Sequence, residues 1–327
     1  MGIKDELQGP NGYLKRIRTE YMPDTKKMAG LAYEKYSIQN QEKLNKEYLS
    51  QNADDVLRGL FLAETEIFDE KNSEIMSRLL PYYYNYIYQK ADKNYIETSE
   101  KLEKLLDTYK LSTENKCSFE MFIQNISDVV VPIVEIASFS QKQSAKTRVG
   151  ETLQNHLSKI FNICGIKYET QQQKDEGGTI MDFVIPSLAA IDEMPDQVIN
   201  IECQTTLKDR FRLTTGKSTD GKIKRYLATV TGAGIVTQRD RKDFTVNKVK
   251  EIIVDNNVTL VVLKEVKAHI VEMFEESEKA LKAGKTYKNA SVTLEEIERL
   301  NKLCKKKVIS YSELISRDIK STLVYWN

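Results

Sequence analysis

The sequence predicts an α/β (α+β) protein: a mixed central sheet flanked by helices, an all-helical N-terminal domain before it and a helical C-terminal tail after it. Three observations carry that expectation. Up to residue 112, apolar residues recur at spacings of three and four, without strand alternation. Between about residues 146 and 263, helical patterns and short apolar strands alternate, the arrangement of a sheet covered by helices. The third is Val198–Arg212, VINIECQTTLKDRFR, which starts as a strand of period two and ends in a burst of alternating charge.

In the N-terminal part, residues 21–52 mix Lys, Glu, Gln, Ala and Leu, residues 54–68 repeat apolar residues at helical spacing, and residues 94–109 form an amphipathic helix. The run PYYYNYIY at Pro81–Tyr88 is expected to pack helix on helix, with stacking on bases as the alternative. Polar residues 111–117 make a joint, which sets the expected domains at 1–112, 113–266 and 267–327.

A helix is expected over 146–163, with Val149, Leu153, Leu157, Ile160 and Phe161 on one face and Gly165 as its stop. A strand at 166–171, a Gly177–Gly178 turn and a strand at 179–186 (TIMDFVIP) follow. After the strand of Glu202, strands at 226–236 and 258–263 bracket a helix at 245–255. The tail opens with a charged helix and continues in TLEEIERLNKLCK, whose Thr293-x-x-Glu296 start is a capping box. It ends near Trp326, the single tryptophan, expected to pack or to make oligomer contacts.

The 327 residues are 40% hydrophobic and 30% charged, an ordinary globular composition with a net charge of +1. No apolar run approaches eighteen residues and the start, MGIKDELQGP, has no basic-then-apolar segment; neither a membrane span nor a signal peptide is expected, and the expected location is the cytoplasm. Cys117, Cys164, Cys203 and Cys304 are far apart and only His156 and His269 could assist them, which argues against zinc and disulfides. From Leu207 to Lys250, twelve Lys or Arg face four acids, a local basic excess suited to a polyanion. A solvated helical face is the alternative.

On the central strand, Glu202 and Gln204 share a face on which a purely structural strand would carry Val or Leu. About twenty residues upstream a second apolar strand is interrupted by one carboxylate, Asp182. Two neighbouring strands, each apolar but for one acid, make a candidate divalent-cation site; acids at a strand end or facing solvent are the bland alternative.

RVG at Arg148–Gly150, DFVIP at Asp182–Pro186 and ECQTTLKDRFR at Glu202–Arg212 together resemble the PD-(D/E)xK nucleases. Within them they resemble the type II restriction endonucleases grouped around the EcoRII catalytic domain and the enzymes with CCGG or CCNGG targets, a BsaWI-like enzyme being one candidate. The resemblance covers residues 140–263. It implies a homodimeric or higher-order, Mg²⁺-dependent bacterial enzyme that cuts both strands of a short double-stranded DNA palindrome. It further implies that Asp182, Glu202 and the Cys203 carbonyl hold the metal, and that Gln204 stands where the family usually has Lys. Gln204 can orient a water but cannot take its proton. The family's displaced acid is missing at Lys217 and Ser218, so Glu202 serves in the ordinary place; Gln154 replaces a common Glu, with Glu151 one turn earlier as substitute.

Lys208, Asp209 and Arg210 occupy the place of the family's base-reading triplet, cations donating to guanine and the carboxylate accepting from cytosine. Lys146, Arg148, Arg212, Lys222, Lys224 and Arg225 are expected phosphate contacts. A DNA-binding or assembly protein that keeps the fold without cutting is the second function the residues allow.

Overall fold

The computed structural model describes residues 12–89, 107, 124, 127, 131, 134–138, 151–172, 181–204, 222–231, 233, 244–285 and 292–324. The Gly177–Gly178 turn, Trp326 and the side chains of Tyr82–Tyr88 lie outside them. The chain divides into two compact units, Met1–Met28 with Glu64–Arg148, and Ala29–Ala63 with Val149–Asn327. These limits differ from the expected 1–112, 113–266 and 267–327. A segment of the helical N-terminal part, residues 29–63, belongs with the sheet, and so does the whole tail.

The helices are α1 (Tyr13–Tyr21), α2 (Thr25–Asn40), α3 (Lys46–Gln89) and α4 (151–164). Helix α3 is kinked at Asn52, whose side-chain amide donates to the Tyr48 carbonyl at 3.2 Å. In the first unit, Tyr13, Leu14 and Ile17 of α1 pack on Ile75, Leu79 and Ala137, and the Tyr13 hydroxyl donates to the Leu79 carbonyl. Arg78 lies 4.4 Å from the centre of the Tyr21 ring.

In the second unit, α2 lies so close to α3 that a Cβ on Gly59 would come within 2.2 Å of the Tyr36 ring, which explains a glycine in a helix interior. Helix α4 ends as expected: Gly165 adopts φ +68° and the Ile166 amide reaches back to the Phe161 carbonyl at 2.9 Å.

Six strands follow among the described residues: β1 (Glu169–Gln172), β2 (Met181–Ile185), β3 (Ile199–Cys203), β4 (Lys224–Ala228), β5 (Thr259–Val262) and β6 (Val308–Ser310). They form one sheet in the order β1-β2-β3-β4-β5-β6, antiparallel from β1 to β3 and parallel from β3 to β6. The expected mixed sheet flanked by helices is therefore present. Strand β6 lies within the tail expected to be helical, between α5 (Leu294–Lys307) and a C-terminal helical stretch of Tyr311–Glu313, Leu314–Ile319 and Lys320–Leu323. Strand β4 ends at Ala228, short of the expected 236.

The main core joins Leu49, Val56, Leu57 and Leu60 of α3, Leu153, Leu157, Ile160 and Phe161 of α4, and Phe183, Ile199, Ile201 and Leu260 of the sheet. A smaller cluster of Met181, Val184, Ala190, Ile191, Val198 and Ile223 covers part of β2 and β3. Burial at about 25 cal/mol per Å² of apolar surface drives this assembly, and polar contacts set its register.

Asp54 of α3, 2% exposed, is the chief of these contacts. Its Oδ1 accepts from the backbone amides of Lys264 (3.1 Å) and Tyr311 (3.2 Å), and its Oδ2 from the Ser312 amide (3.0 Å) and hydroxyl (2.6 Å). Lys264 begins α6 (Lys264–Lys282) and Tyr311 begins the C-terminal stretch, so one carboxylate caps two helix starts. Thr293 caps α5 through the Glu296 amide, while Glu296 itself pairs with Lys250; the complete capping box is at Ser310 and Glu313. No helix among the described residues is long and apolar enough to cross a membrane.

Asp54→Ala leaves the buried Tyr311 amide, the part-buried Lys264 and Ser312 amides and the Ser312 hydroxyl without their acceptor, and is expected to lower unfolding stability by about 3 kcal/mol in urea titration. Asp54→Asn, which keeps one carbonyl acceptor, should fall between it and wild type; equal stability of all three would remove Asp54 from this role.

Candidate active site

Strands β2 and β3 pair with Phe183 opposite Ile201 and Val184 opposite Asn200. One step further, the same register sets Asp182 opposite Glu202. Directly opposite residues of an antiparallel pair share a face, with Cβ atoms about 5 Å apart. The two acids expected from sequence are thus brought together, because the apolar residues between them (Phe183, Ile185, Ile199, Ile201) are claimed by the main core on the other face.

Three features shape this face. The Cys203 amide donates to Asp182 Oδ2 at 2.7 Å, fixing one carboxylate oxygen. Gln154 of α4 donates its side-chain amide to the Asp182 backbone carbonyl at 3.2 Å, which ties the helix to the strand that carries the acid. The Gln204 amide donates to the Ala228 carbonyl at 2.9 Å, which continues the strand and keeps the Gln204 side chain on the side of Glu202.

Burial raises the Asp182 carboxyl above its ordinary value, with the Cys203 amide opposing. Glu202, 8% exposed, is pushed up to about 7, first by burial; the Arg225 charge pulls it down and Asp182 pushes it up. Neither acid ionises comfortably beside the other. A divalent cation between them would let both be charged at once, and two carboxylates suit a hard cation that keeps most of its water. Among the described residues no group of three or more His, Cys, Asp or Glu side chains is placed to hold a metal. The two carboxylates that the register brings together, Asp182 and Glu202, could supply side-chain ligands, with backbone and water completing the shell.

Cys203 contributes its backbone only. By alternation its side chain faces the other way and packs against the main core, where burial first, and then Asp182 and Glu202, drive its thiol well above the ordinary range. The same alternation separates two expected phosphate contacts. Arg225 lies in register with Asn200 on the acid face, whereas Lys224 is in register with Ile199 on the opposite face, its Nζ 3.5 Å from Thr322 Oγ1. Lys224 is not brought to the acids, because a strand cannot present consecutive residues to one side.

Lys222 is exposed just before β4, and Glu151 is exposed on α4. Lys146, Arg148, Lys208, Asp209, Arg210 and Arg212 lie outside the described residues. Of the basic excess, Lys248 is paired with Glu251 at 2.9 Å and Lys250 with Glu296. The residue that sequence reading passed over is Asn200, on the acid face two positions before Glu202. Its signal was a polar residue inside an otherwise apolar strand start.

A carboxyl raised in the folded state favours the protonated protein, so its stabilising contribution is complete below pH 4.5 and is lost as pH rises to about 7. In EDTA, Glu202→Gln should therefore gain stability over wild type across that window, reaching about 3 kcal/mol above pH 7. A urea-titration difference that is the same at pH 5 and pH 8 would contradict the buried, unpaired state of Glu202.

The chain matches the family described as EcoRII C terminal over residues 111–281, just over half of its length. No curated protein sequence matches it. Among solved structures it is similar to the restriction endonuclease PspGI–substrate DNA complex, with a TM-score of 0.57 and 16% identity over 94% of this chain and 95% of that one. It is also similar to metal-depleted Ecl18kI in complex with uncleaved DNA, with a TM-score of 0.62 and 16% identity over 96% and 83%. At that identity the likeness is one of fold, and the fold is that of restriction endonucleases. With a mixed sheet of this order, two acids in register on β2 and β3, and a family match across the segment that contains them, the chain belongs to the EcoRII C-terminal family.

Proposed function

We propose that the protein is a type II restriction endonuclease that hydrolyses phosphodiester bonds of double-stranded DNA with Mg²⁺. The observation that carries this reading is the pair of carboxylates, Glu202 buried and Asp182 half-buried, held in register on one sheet face. Buried acids without a stabilising cation cost stability, and a strand has no structural need of them.

Asp182 and Glu202 would hold the cation, with the Cys203 carbonyl as a third ligand. When bound, such a cation neutralises charge on the scissile phosphate and acidifies water. Gln204, at the open end of β3, orients the attacking water and the phosphate through its amide; because an amide takes no proton, proton removal falls to solvent or substrate phosphate. Gln154 and the Cys203 amide fix Asp182 from two sides. Glu151, exposed near Gln154, is a further acid for the site. Arg225, on the acid face in register with Asn200, would meet the phosphate backbone; Lys222, Arg212, Lys146 and Arg148 would extend that contact. Lys208, Asp209 and Arg210 read C:G pairs of a palindrome with a CCGG or CCNGG core, and a palindromic target calls for a homodimer or a higher oligomer. Such an enzyme works where DNA is, in the bacterial cytoplasm.

Gln204 favours one second reading, a DNA-binding or assembly protein that has lost cutting. The two separate in one experiment: the purified protein is incubated with methylation-free DNA of known sequence and Mg²⁺, and the products are resolved on a gel. Discrete fragments that vanish with Asp182→Ala are expected. No fragments in Mg²⁺ or Mn²⁺, with a DNA mobility shift retained, would leave the binding protein. In the active enzyme, Gln204→Leu should lower kcat by about 100-fold or more with little change in KM, since it removes the water's partner and leaves binding groups in place.

A further inference from the structure

The acid face of β3 carries an amide on each side of Glu202, Asn200 before it and Gln204 after it. The side-chain carbonyl oxygens of both are buried and have no hydrogen-bond partner, and Asn200 as a whole is only 8% exposed. A buried carbonyl without a donor destabilises a fold. Asn200's neighbour on β2 is Val184, whose side chain has no donor, and its neighbour on β4 is Arg225, which makes no hydrogen bond to the Asn200 side-chain carbonyl. A valine at 200 would extend the apolar cluster of Val184 and Val198 on that face without this cost.

Spacing narrows what the carbonyl meets. Residues two apart on a strand lie about 6.6 Å apart along its axis, so Asn200 is offset from a cation centred between Asp182 and Glu202. An oxygen that reaches the cation through one water stands about 4 to 5 Å away, from a cation–oxygen distance near 2.1 Å and a hydrogen bond near 2.8 Å. Asn200 fits that outer position better than direct ligation. A cation held by two carboxylates retains several waters, and their hydrogens need acceptors.

We infer that Asn200 is an outer-sphere ligand of the divalent-cation site, its side-chain carbonyl accepting from the cation's hydration water. The inference rests on the cation site proposed above. Asn200 positions that water from the inner end of the strand, and Gln204 faces the substrate end. Groups of this kind set affinity: losing one weakens metal binding by about 10- to 100-fold.

The test is the Mg²⁺-dependent rise in melting temperature of the full-length protein at pH 8, without DNA, for wild type, Asp182→Ala, Asn200→Leu and Asn200→Asp. Asn200→Leu should need about tenfold or more Mg²⁺ for the half-maximal rise, while its DNA mobility shift in EDTA stays as in wild type. Asn200→Asp, which adds a negative charge at the same place, should need less Mg²⁺ than wild type. If Asn200→Leu responds like wild type while Asp182→Ala loses the response, the cation site stands and the role of Asn200 falls. If wild type shows no rise with Mg²⁺ or Mn²⁺, the cation site itself falls and this inference with it. Should Asn200→Leu fail to fold, the decision passes to Asn200→Asp, and unchanged Mg²⁺ demand in that variant overturns the proposal.

Discussion

A single buried carboxylate, Asp54, ties the start of α6 and the start of the C-terminal helical stretch to the wall of α3. Those two starts directly follow β5 and β6, so the contact holds the C-terminal ends of two adjacent parallel strands level with each other. Helix starts leave amides without partners, and in a parallel sheet they gather along one edge. An acid on a covering helix answers two of them at once. That gives residues 29–63 a reason to belong with the sheet and not with the helical segments that flank them in sequence.

The same edge carries the ends of β3 and β4, where Glu202, Gln204 and Ala228 lie. The site is thus built on strands whose register is secured on both sides, by antiparallel pairing to β2 and by parallel pairing to β4. Gln154 adds a helix to that frame by bonding the backbone of Asp182. Rigid strands, more than loops, hold two acids at fixed separation despite their mutual repulsion.

Much of this was legible in the residues. Period-two alternation located β3, and an apolar run broken by one carboxylate located β2, which put Asp182 and Glu202 on two apolar strands; Gly165 marked the end of α4; Thr293 marked the start of α5. Strand β6 was hidden because three residues, Val308–Ser310, sit between a lysine run and a helix cap, too short for alternation to register. The union of residues 29–63 with the sheet was hidden because helical periodicity reports that a face is buried and not what buries it. Asn200 is different: alternation along the strand puts it on the face of Glu202, but only the structure shows that its side-chain carbonyl is buried there without a partner. The contrast between Lys224 and Arg225 needed no structure, only the pleat applied to two consecutive cations.

The pleat also sorts chemistry at Cys203. Glu202 and Cys203 are adjacent in sequence, yet one presents hard oxygen to the acid face and the other turns its sulfur into the core. Thiolate is the ligand that would draw zinc or cadmium into a carboxylate pair, and here burial first, then Asp182 and Glu202, oppose its formation, and the sulfur lies on the far side of the sheet. For the cation site proposed above, alternation along one strand would act as a filter on metal identity, leaving soft ions without an anchor while a cysteine stands one residue from the acid.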